Sequence, residues 1–509
     1  MTDTIRNPLF DTLFADKAAD SRPFLFLHDD RTVSYADFHA LTGRIANALV
    51  SNGVVPGDRV AVQVPKSAEA LALYAACARA GAVFLPLNTA YTPAEIGYFV
   101  GDAEPRLVIC DPAAEAALAP IAAETGASLM TLGTAGTGSL ADAAETAPAS
   151  FETIARDKGD LAAILYTSGT TGRSKGAMLT QENLLSNART LARYWQFSAD
   201  DVLLHALPIF HTHGLFVATN TIATVGASMI FLPGFKLEPV LDGLKRATAM
   251  MGVPTFYTRL LASPEFTRER VAHMRLFVSG SAPLLADTHI AFEERTGHRI
   301  LERYGMTETN MNTSNPCEGE RRAGTVGFPL PGVDVRIADP ETGAPVDDGE
   351  IGMIEVCGPN VFKGYWRMPE KTKSEFRDDG YFITGDLGRI DPDGYVTIVG
   401  RGKDLIISGG YNIYPKEIEL AIDAIDGITE SAVIGVPHPD FGEGVVGIVV
   451  RDEGAAIDES ALLQSLGTSL ARFKQPKRIF FSEELPRNTM GKVQKAALRD
   501  TYATLFTSA

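Results

Sequence analysis

The segment YADFHALTGRIANALVSNG (Tyr35–Gly53) is followed, after a short connection, by RVAVQVP (Arg59–Pro65). The first segment has apolar residues at helical spacing and ends at a glycine, whereas the second is strand-like. The same plan then repeats, since SAEALALYAACARAG (Ser67–Gly81) reads as a helix and AVFLPLN (Ala82–Asn88) as a strand. PRLVICD (Pro105–Asp111) continues it. This alternation predicts an α/β fold with substantially parallel sheets.

The pattern changes after about residue 400. YPKEIELAIDAIDGI, ITESAVIGVP, GEGVVGIVVRD and ESALLQSLGTSLARF, which follow one another between Tyr414 and Phe473, predict a small α+β unit. We therefore expect a large N-terminal domain of α/β subdomains over residues 1–400 and a small C-terminal domain over residues 401–509, with the boundary at GRGKD near Arg401. The segment Gly133–Ser150, rich in glycine, alanine and threonine, is expected to be a surface connection.

Composition narrows the classes of function. The chain has 509 residues, of which 45% are hydrophobic, and its net charge of −17 argues against binding to nucleic acid or to an anionic membrane. The longest apolar run, LALYAACARAGAVFL, is interrupted by Arg79, and the first ten residues lack the pattern of a secretory signal. The four cysteines are far apart and form no CxxC pair. We expect a soluble cytoplasmic protein without a disulfide frame or structural zinc site.

A second stretch, LAAILYTSGTTGRSKGAML (Leu161–Leu179), carries the first chemical signal. An apolar strand gives way to hydroxyls, to glycines that let backbone amides surround an anion, and to a lysine. The residues concerned are Thr167, Ser168, Gly169, Thr170, Thr171, Gly172 and Lys175. The sequence differs from the Walker pattern, because Ser174 stands where that pattern needs its second glycine. The stretch predicts a phosphate-binding loop.

The loop resembles the phosphate-binding loop of the acyl-adenylate-forming superfamily, which includes acyl-CoA synthetases, adenylation domains of peptide synthetases, and luciferases. Further segments resemble the superfamily's other motifs in the same order. They are GSAPL (Gly280–Leu284), YGMTE (Tyr304–Glu308), YFITGDLG (Tyr381–Gly388), GRGKDLIISGGYNIYPKEIE from Gly400, and LPRNTMGKVQK (Leu485–Lys495). The resemblance covers nearly the whole chain.

This resemblance implies that the protein uses ATP, Mg²⁺ and coenzyme A. Besides the loop, the residues implied to bind ATP are Gly280, Ser281, Ala282, Glu302, Tyr304, Gly305, Met306, Asp386 and Arg401. Glu308 and Thr167 would hold Mg²⁺, and Thr307 the α-phosphate. Lys492 would stabilise the charge that develops during adenylation, and the small domain would then rotate about Lys403 for the thioester step.

The acid is predicted from the segments around the acyl pocket. Arg303, just before the motif tyrosine, and Arg259, in GVPTFYTRL, would be out of place in a fatty-acid pocket. These segments resemble the malonate-activating members of the superfamily. The resemblance implies that Arg303, Arg259, Ser281 and His211 surround the carboxylate of malonate that is not activated, with methylmalonate as a secondary substrate.

Several alternatives stay open from the sequence. The chain could be a CoA ligase for another short acid, an adenylation module that loads a carrier protein, or a nucleotide-binding protein without catalysis. His211 could be structural, and Arg259 could be an ordinary surface arginine. The basic stretch RFKQPKR (Arg472–Arg478) could meet the phosphates of coenzyme A or simply face solvent.

Overall fold

The computed structural model describes residues 6–167, 174–409, 411–488 and 491–506. The chain divides into two compact units. One comprises Met1–Asp334 with Val356–Phe382, and the other comprises Val335–Glu355 with Ile383–Ala509. These two units are defined by how their residues pack together. The boundary predicted near Arg401 marks where the small domain is expected to move, and it stays a prediction. Within the described ranges, no helix has both the length and the apolar content needed to cross a bilayer.

The first unit is built from strands that alternate with helices. Its strands are β1 (Pro23–Leu27), β2 (Thr32–Ser34), β3 (Arg59–Gln63), β4 (Val83–Pro86), β5 (Leu107–Cys110), β6 (Ser128–Thr131), β7 (Leu161–Thr167), β8 (Lys175–Thr180), β9 (Val202–His205), β10 (Ser228–Phe231), β11 (Ala249–Gly252), β12 (Leu276–Ser279), β13 (Leu301–Met306), β14 (Asn310–Ser314) and β15 (Phe328–Pro329). Its helices are α1 (Pro8–Leu13), α2 (Tyr35–Ser51), α3 (Ala68–Arg79), α4 (Pro93–Ala103), α5 (Glu115–Thr125), α6 (Ser139–Thr146), α7 (Gln181–Tyr194), α8 (Thr221–Val225), α9 (Leu237–Gly243), α10 (Pro254–Leu261), α11 (Arg268–Val271), α12 (Ala286–Thr296) and α13 (Pro369–Ser374).

Two largely parallel sheets organise this unit, which confirms the predicted α/β class. One sheet runs in the order β6-β5-β3-β4-β7-β8, and only its β7–β8 pair is antiparallel among the described strands. The other runs in the order β15-β14-β13-β12-β11-β9-β10-β1-β2, with parallel pairing from β13 through β1. Because the carboxyl ends of parallel strands meet at one sheet edge, the segments after β9, β12 and β13 share an edge.

The first helices confirm the periodicity argument. The predicted helix at Tyr35–Gly53 is α2, and it begins with a capping box in which Ser34 and Asp37 bond each other's backbone amides. The predicted helix at Ser67–Gly81 is α3, whose N-cap is Ser67. Arg79 lies buried at the end of α3 and donates to the carbonyl of Phe151 at 2.8 Å, so the apolar run around it is core rather than a membrane span.

The prediction of a surface connection over Gly133–Ser150 is wrong in part. Residues Ser139–Thr146 form α6, and Leu140 and Ala144 on one of its faces are buried. Two apolar residues four positions apart are enough to hold one face of a short helix against α2. The glycines and threonines near these two residues are typical of a loop, so the sequence does not indicate a helix here.

The second unit is α+β, as predicted. Its strands are β16 (Asp334–Ala338), β17 (Gly352–Cys357), β18 (Phe382–Ile390), β19 (Val396–Arg401), β20 (Ile406–Ser408), β21 (Tyr411–Ile413), β22 (Ile428–His438), β23 (Gly442–Arg451) and β24 (Arg478–Ser482). Its helices are α14 (Pro415–Asp423), α15 (Glu459–Ser469) and α16 (Lys495–Tyr502). One sheet runs β16-β17-β18-β19 and another β21-β20-β23-β22, with β24 parallel to β23. Apolar clusters lie on both faces of the long β22–β23 hairpin.

Candidate active site

The predicted phosphate loop joins β7 to β8. The two strands pair antiparallel, with Thr167 opposite Lys175, so the loop starts and ends at one point on the sheet. The Thr167 hydroxyl donates to the Lys175 carbonyl at 3.5 Å. Residues Ser168, Gly169, Thr170, Thr171 and Gly172 lie outside the described residues, and their role in binding phosphate stays a prediction.

Lys175 lies in a polar and aromatic environment. Its Nζ is 3.7 Å from Oε1 of Glu375 and 4.3 Å from the centre of the Tyr365 ring. Since an ammonium group is attracted both to a carboxylate and to an aromatic face, these contacts hold the side chain of Lys175, the first residue of β8, against Glu375 and Tyr365. Lys371 pairs with the same Glu375 oxygen, so Lys175 shares its counter-ion.

Tyr365 connects Lys175 with the predicted metal ligand Glu308. Its hydroxyl donates to Oε1 of Glu308 at 3.0 Å, and the Glu308 carboxylate is buried. Tyr365 is positioned because its segment lies along β8, where Ala177 and Tyr365 form an antiparallel bridge and the Met178 amide donates to the Gly364 carbonyl at 2.9 Å. Tyr365 is not among the residues predicted from the sequence, although the aromatic pair in KGYWRMP (Lys363–Pro369) is a signal for it.

The β13 strand and the turn after it carry the residues of the YGMTE motif. Glu302 and Tyr304 are buried, Gly305 and Met306 are half-buried, and Thr307 lies in the turn that leads to β14. Oε1 of Glu302 accepts from the Leu284 amide at 3.2 Å, which ties β13 to the GSAPL segment. A Cβ on Gly305 would lie 1.9 Å from the Asn310 carbonyl oxygen, so this bulge needs glycine.

Arg303 is buried within the same strand, but not all of its hydrogen-bond donors are satisfied. Its Nε and Nη2 atoms have no hydrogen-bond partner among the described residues. Burial lowers the pKa of Arg303 to about 9, so the group still carries its charge at neutral pH. A Cβ on Gly280 would come within 2.3 Å of the guanidinium carbon, so the guanidinium packs directly on the Gly280 backbone. A buried, charged group with unused donors is suited to bind an anion.

Ser281 and His213 lie beside this group. The Ser281 hydroxyl and Nδ1 of His213 are 3.1 Å apart, and Ser281 has a left-handed backbone with φ of 72°. Burial, followed by the nearby charge of Arg303, lowers the pKa of His213 well below its usual value. Its Nε2 atom is buried without a partner among the described residues. His213 is therefore a neutral histidine with one polar atom unused.

The other two predicted acid ligands are placed differently. His211 is half-buried, and its Nδ1 accepts from the His213 amide at 3.2 Å. Arg259 is exposed on the last turn of α10, where its guanidinium lies 5.8 Å from the centre of the Phe235 ring. The structure thus groups Arg303, Ser281 and His213, and no described contact joins Arg259 to that group. Ala282 is half-buried in the segment that follows Ser281.

In the second unit the two predicted ribose ligands are paired. Nε of Arg401 lies 2.7 Å from Oδ1 of Asp386, because these residues are opposite each other on β19 and β18. The Asp386 side chain is almost fully buried. Lys403 follows in a short turn, where partial burial lowers its pKa. Lys492 is exposed, and its amide donates to Oδ1 of Asn488 at 3.0 Å.

The residues assigned to Mg²⁺ fit that ion. The Glu308 carboxylate and the Thr167 hydroxyl offer oxygen ligands, which Mg²⁺ prefers, and Mg²⁺ usually takes few protein ligands and completes its shell with water and phosphate oxygens. Within the described ranges there is no group of three or more His, Cys, Asp or Glu side chains that could hold a metal ion. Two oxygen ligands from the protein are what a nucleotide-bound Mg²⁺ ion needs.

Comparison with known proteins identifies the family. The "AMP-binding enzyme" family matches residues 14–366, and the "AMP-binding enzyme C-terminal domain" matches residues 417–492. The crystal structure of ATP-bound MatB from Rhodopseudomonas palustris superposes with a TM-score of 0.97 at 62% identity, over 99% of this chain and 100% of that one.

Two curated relatives are similar over most of their length. The malonate–CoA ligase of Arabidopsis thaliana is 35% identical over 93% of this chain and 82% of its own. A feruloyl-CoA synthase of Amycolatopsis is 37% identical over 93% of this chain and 95% of its own. These matches cover most of the chain, so the chain belongs to the AMP-binding enzyme family and is an acid–thiol ligase that forms acyl-CoA.

Proposed function

We propose that this protein joins malonate to coenzyme A through malonyl-adenylate, with malonyl-CoA, AMP and pyrophosphate as products and methylmalonate as a secondary substrate. The observation that carries the proposal is the buried guanidinium of Arg303, whose Nε and Nη2 have no partner among the described residues. A fatty or aryl acid would leave these donors unpaired, whereas the second carboxylate of malonate would satisfy them.

His213 and Ser281 complete the recognition of that carboxylate. If the Ser281 hydroxyl donates to Nδ1 of His213, the ring proton lies on Nε2, which becomes a further donor. Two donors of Arg303 and one of His213 then face one anion. We assign Arg259 a secondary role at the mouth of this pocket, because its side chain is exposed.

The first half-reaction follows from this binding mode. The free carboxylate of malonate attacks the α-phosphorus of ATP, a P–O bond breaks, and pyrophosphate leaves. Thr307 holds the α-phosphate, while Lys175 and Lys492 stabilise the charge that builds up on the phosphates. Glu308 and Thr167 would hold Mg²⁺, which neutralises phosphate charge when bound. Glu302, Tyr304, Gly305, Met306, Gly280 and Ala282 contact the adenine side, and Asp386 with Arg401 hold the ribose.

The second half-reaction transfers the acyl group. The thiol of coenzyme A, having lost its proton, attacks the carbonyl carbon of the mixed anhydride, and AMP leaves with the bonding electrons. We propose that a rotation about Lys403 exchanges Lys492 for the segment at Ser408–Asn412 between the two steps.

The test is pyrophosphate release from ATP across malonate, methylmalonate, succinate, acetate and ferulate, with and without coenzyme A. Malonate should give the highest kcat/KM, by roughly 10³-fold or more over acetate. Coenzyme A should be consumed in equal amount to pyrophosphate. A higher kcat/KM for ferulate or acetate would refute the malonate assignment, and acyl transfer only to a carrier protein would favour the adenylation-module alternative.

A further inference from the structure

Lys66 is a half-buried lysine that the reaction described above does not use. It lies between β3 and the Ser67 N-cap of α3, and its Nζ is 2.9 Å from the carbonyls of both His205 and Leu207. The same Nζ is 2.8 Å from Nδ1 of His205 and 4.2 Å from the centre of the Phe231 ring. All three ammonium protons thus have acceptors, and no carboxylate among the described residues pairs with Lys66.

The second nitrogen of His205 continues this set of contacts. Nε2 of His205 lies 2.8 Å from the Gly214 carbonyl, which can only accept. The proton of His205 is therefore on Nε2, and Nδ1 accepts from Lys66. Gly214 is in turn held tightly, since a Cβ there would lie 2.1 Å from the Pro208 carbonyl oxygen.

Gly214 follows His213 directly, and both belong to the π-helical segment His213–Asn220. Lys66 binds the carbonyls of His205 and Leu207 at the end of β9, and His205 binds the Gly214 carbonyl at the start of this helix. The segment between β9 and the helix is therefore held at both ends. That segment carries His213, whose Nδ1 meets Ser281 beside Arg303. Lys66 thus connects the loop after β3 of one sheet to the acid-binding end of the other.

We infer that Lys66 is a positioning residue for acid recognition, which acts through His205 and Gly214 on the placement of His213. The inference rests on the proposed function for the identity of the acid. Lysine is needed because three buried acceptors converge on one point, and an apolar side chain would leave two carbonyls and one ring nitrogen unsatisfied. The segment would then shift to find other partners.

The test separates acid binding from ATP binding. Lys66→Met should raise KM for malonate about tenfold or more, because loss of a charged donor is worth about that factor, while KM for ATP changes less than about twofold. The control is Arg79→Met, which removes a different cation that also donates to backbone carbonyls. It should lower the melting temperature without changing the ratio of the two KM values.

A matched pair at His205 keeps the test decisive if Lys66→Met does not fold. His205→Gln can place an amide N–H near the position of Nε2 and keep the bond to Gly214, whereas His205→Asn is too short for it. We expect KM for malonate to rise about tenfold in the Asn variant and less than about threefold in the Gln variant. Equal effects of the two amides, or parallel rises in both KM values, would overturn the inference.

This outcome is distinct from failure of the proposed function. If wild type prefers another acid, the malonate proposal fails, and the same variants are measured with the preferred acid. A selective rise in the KM of that acid still supports a positioning role for Lys66. An unchanged KM for that acid rejects it.

Discussion

The Tyr365 hydroxyl donates to Oε1 of Glu308 at 3.0 Å while the ring of the same tyrosine lies 4.3 Å from Nζ of Lys175. One side chain therefore contacts the proposed metal ligand and the lysine at the end of the phosphate loop. A hydrogen bond to a buried carboxylate restricts its orientation. Tyr365 thus links two groups that we propose to face the same triphosphate.

Removal of this hydroxyl should weaken the use of Mg²⁺ more than the use of the acid. We expect Tyr365→Phe to raise the Mg²⁺ concentration for half-maximal rate about tenfold, since a bond to a charged group is worth about 1.5–3 kcal/mol. KM for malonate should change little. The measurement is initial rate against free Mg²⁺ at saturating ATP.

Tyr35→Phe is the matched control for that variant. Its hydroxyl is also buried and donates to the Ala227 carbonyl at 2.7 Å, away from the residues assigned to ATP. It should lower the melting temperature and leave the Mg²⁺ dependence unchanged. The same Mg²⁺ shift in both variants would mean that Tyr365 acts only through stability.

Substitution of Arg303 should change acid selectivity. We expect Arg303→Ala to lower kcat/KM for malonate by roughly 10³-fold and that for acetate by less than about tenfold, because only malonate offers the buried donors a second carboxylate. Arg259→Ala should have a smaller effect on malonate, since Arg259 is exposed. Steady-state kinetics with both acids decide this.

Arg246→Ala provides the comparison for Arg259. Arg246 is also exposed, and its guanidinium lies 4.2 Å from the centre of the Phe26 ring. It should leave selectivity as in wild type. Equal losses for malonate and acetate in Arg303→Ala would show that this arginine supports only the fold or the nucleotide.

Loss of Lys492 should affect the rates of the two half-reactions differently. We expect Lys492→Ala to abolish malonate-dependent pyrophosphate release, whereas coenzyme A still consumes preformed malonyl-adenylate at a rate within about threefold of wild type. Lys492 is exposed, so its removal should not disturb the fold. Lys245→Ala, at another exposed lysine, should change neither step. A similar fall in both half-reactions would contradict the division of roles.

The stability of the second unit should depend on pH through Asp423. Burial, opposed by the hydrogen bond from Ser431 at 2.7 Å, raises the pKa of Asp423 from 3.8 to about 6. The native state then holds a proton that the unfolded state has lost, so the free energy of unfolding falls as pH rises from about 4 to about 6. The loss should be about 2 kcal/mol.

Urea unfolding of wild type and Asp423→Asn between pH 4.5 and 7.5 measures this contribution. The wild-type curve should fall relative to the variant through about pH 6 and run parallel to it above about pH 7. Asp452→Asn is the control, because Asp452 is exposed and also accepts from a hydroxyl, that of Thr429, at 2.7 Å. A constant difference between wild type and Asp423→Asn would disprove the shift.

Much of the fold could be predicted because its elements have local signals. The helix over Tyr35–Ser51 has a capping box and a regular apolar face, and the parallel strands read as short apolar runs. Helix α6 was missed because only Leu140 and Ala144 mark its buried face. Its stability comes from packing on α2 and not from its own sequence.

The site was predictable only where its residues form contiguous motifs. Tyr365 and Glu308 are separated by 57 residues, and Lys66 and His205 by 139, so no local spacing reveals these pairs. His213 lies two residues after His211, but only the structure shows which ring faces Ser281. The functional residues within one motif can be identified from the sequence, whereas contacts between residues of different motifs depend on the sheet topology.

The missing side chain at Gly280 has an evolutionary consequence. The Arg303 guanidinium occupies the volume that any Cβ at Gly280 would take, at 2.3 Å from its central carbon. A single step from Gly280 to alanine would displace the guanidinium, whereas the same step after loss of Arg303 meets no such obstacle. The two positions are therefore epistatic: alanine at Gly280 should alter acid recognition while Arg303 is present, because the guanidinium must move, and should have little effect once Arg303 is lost.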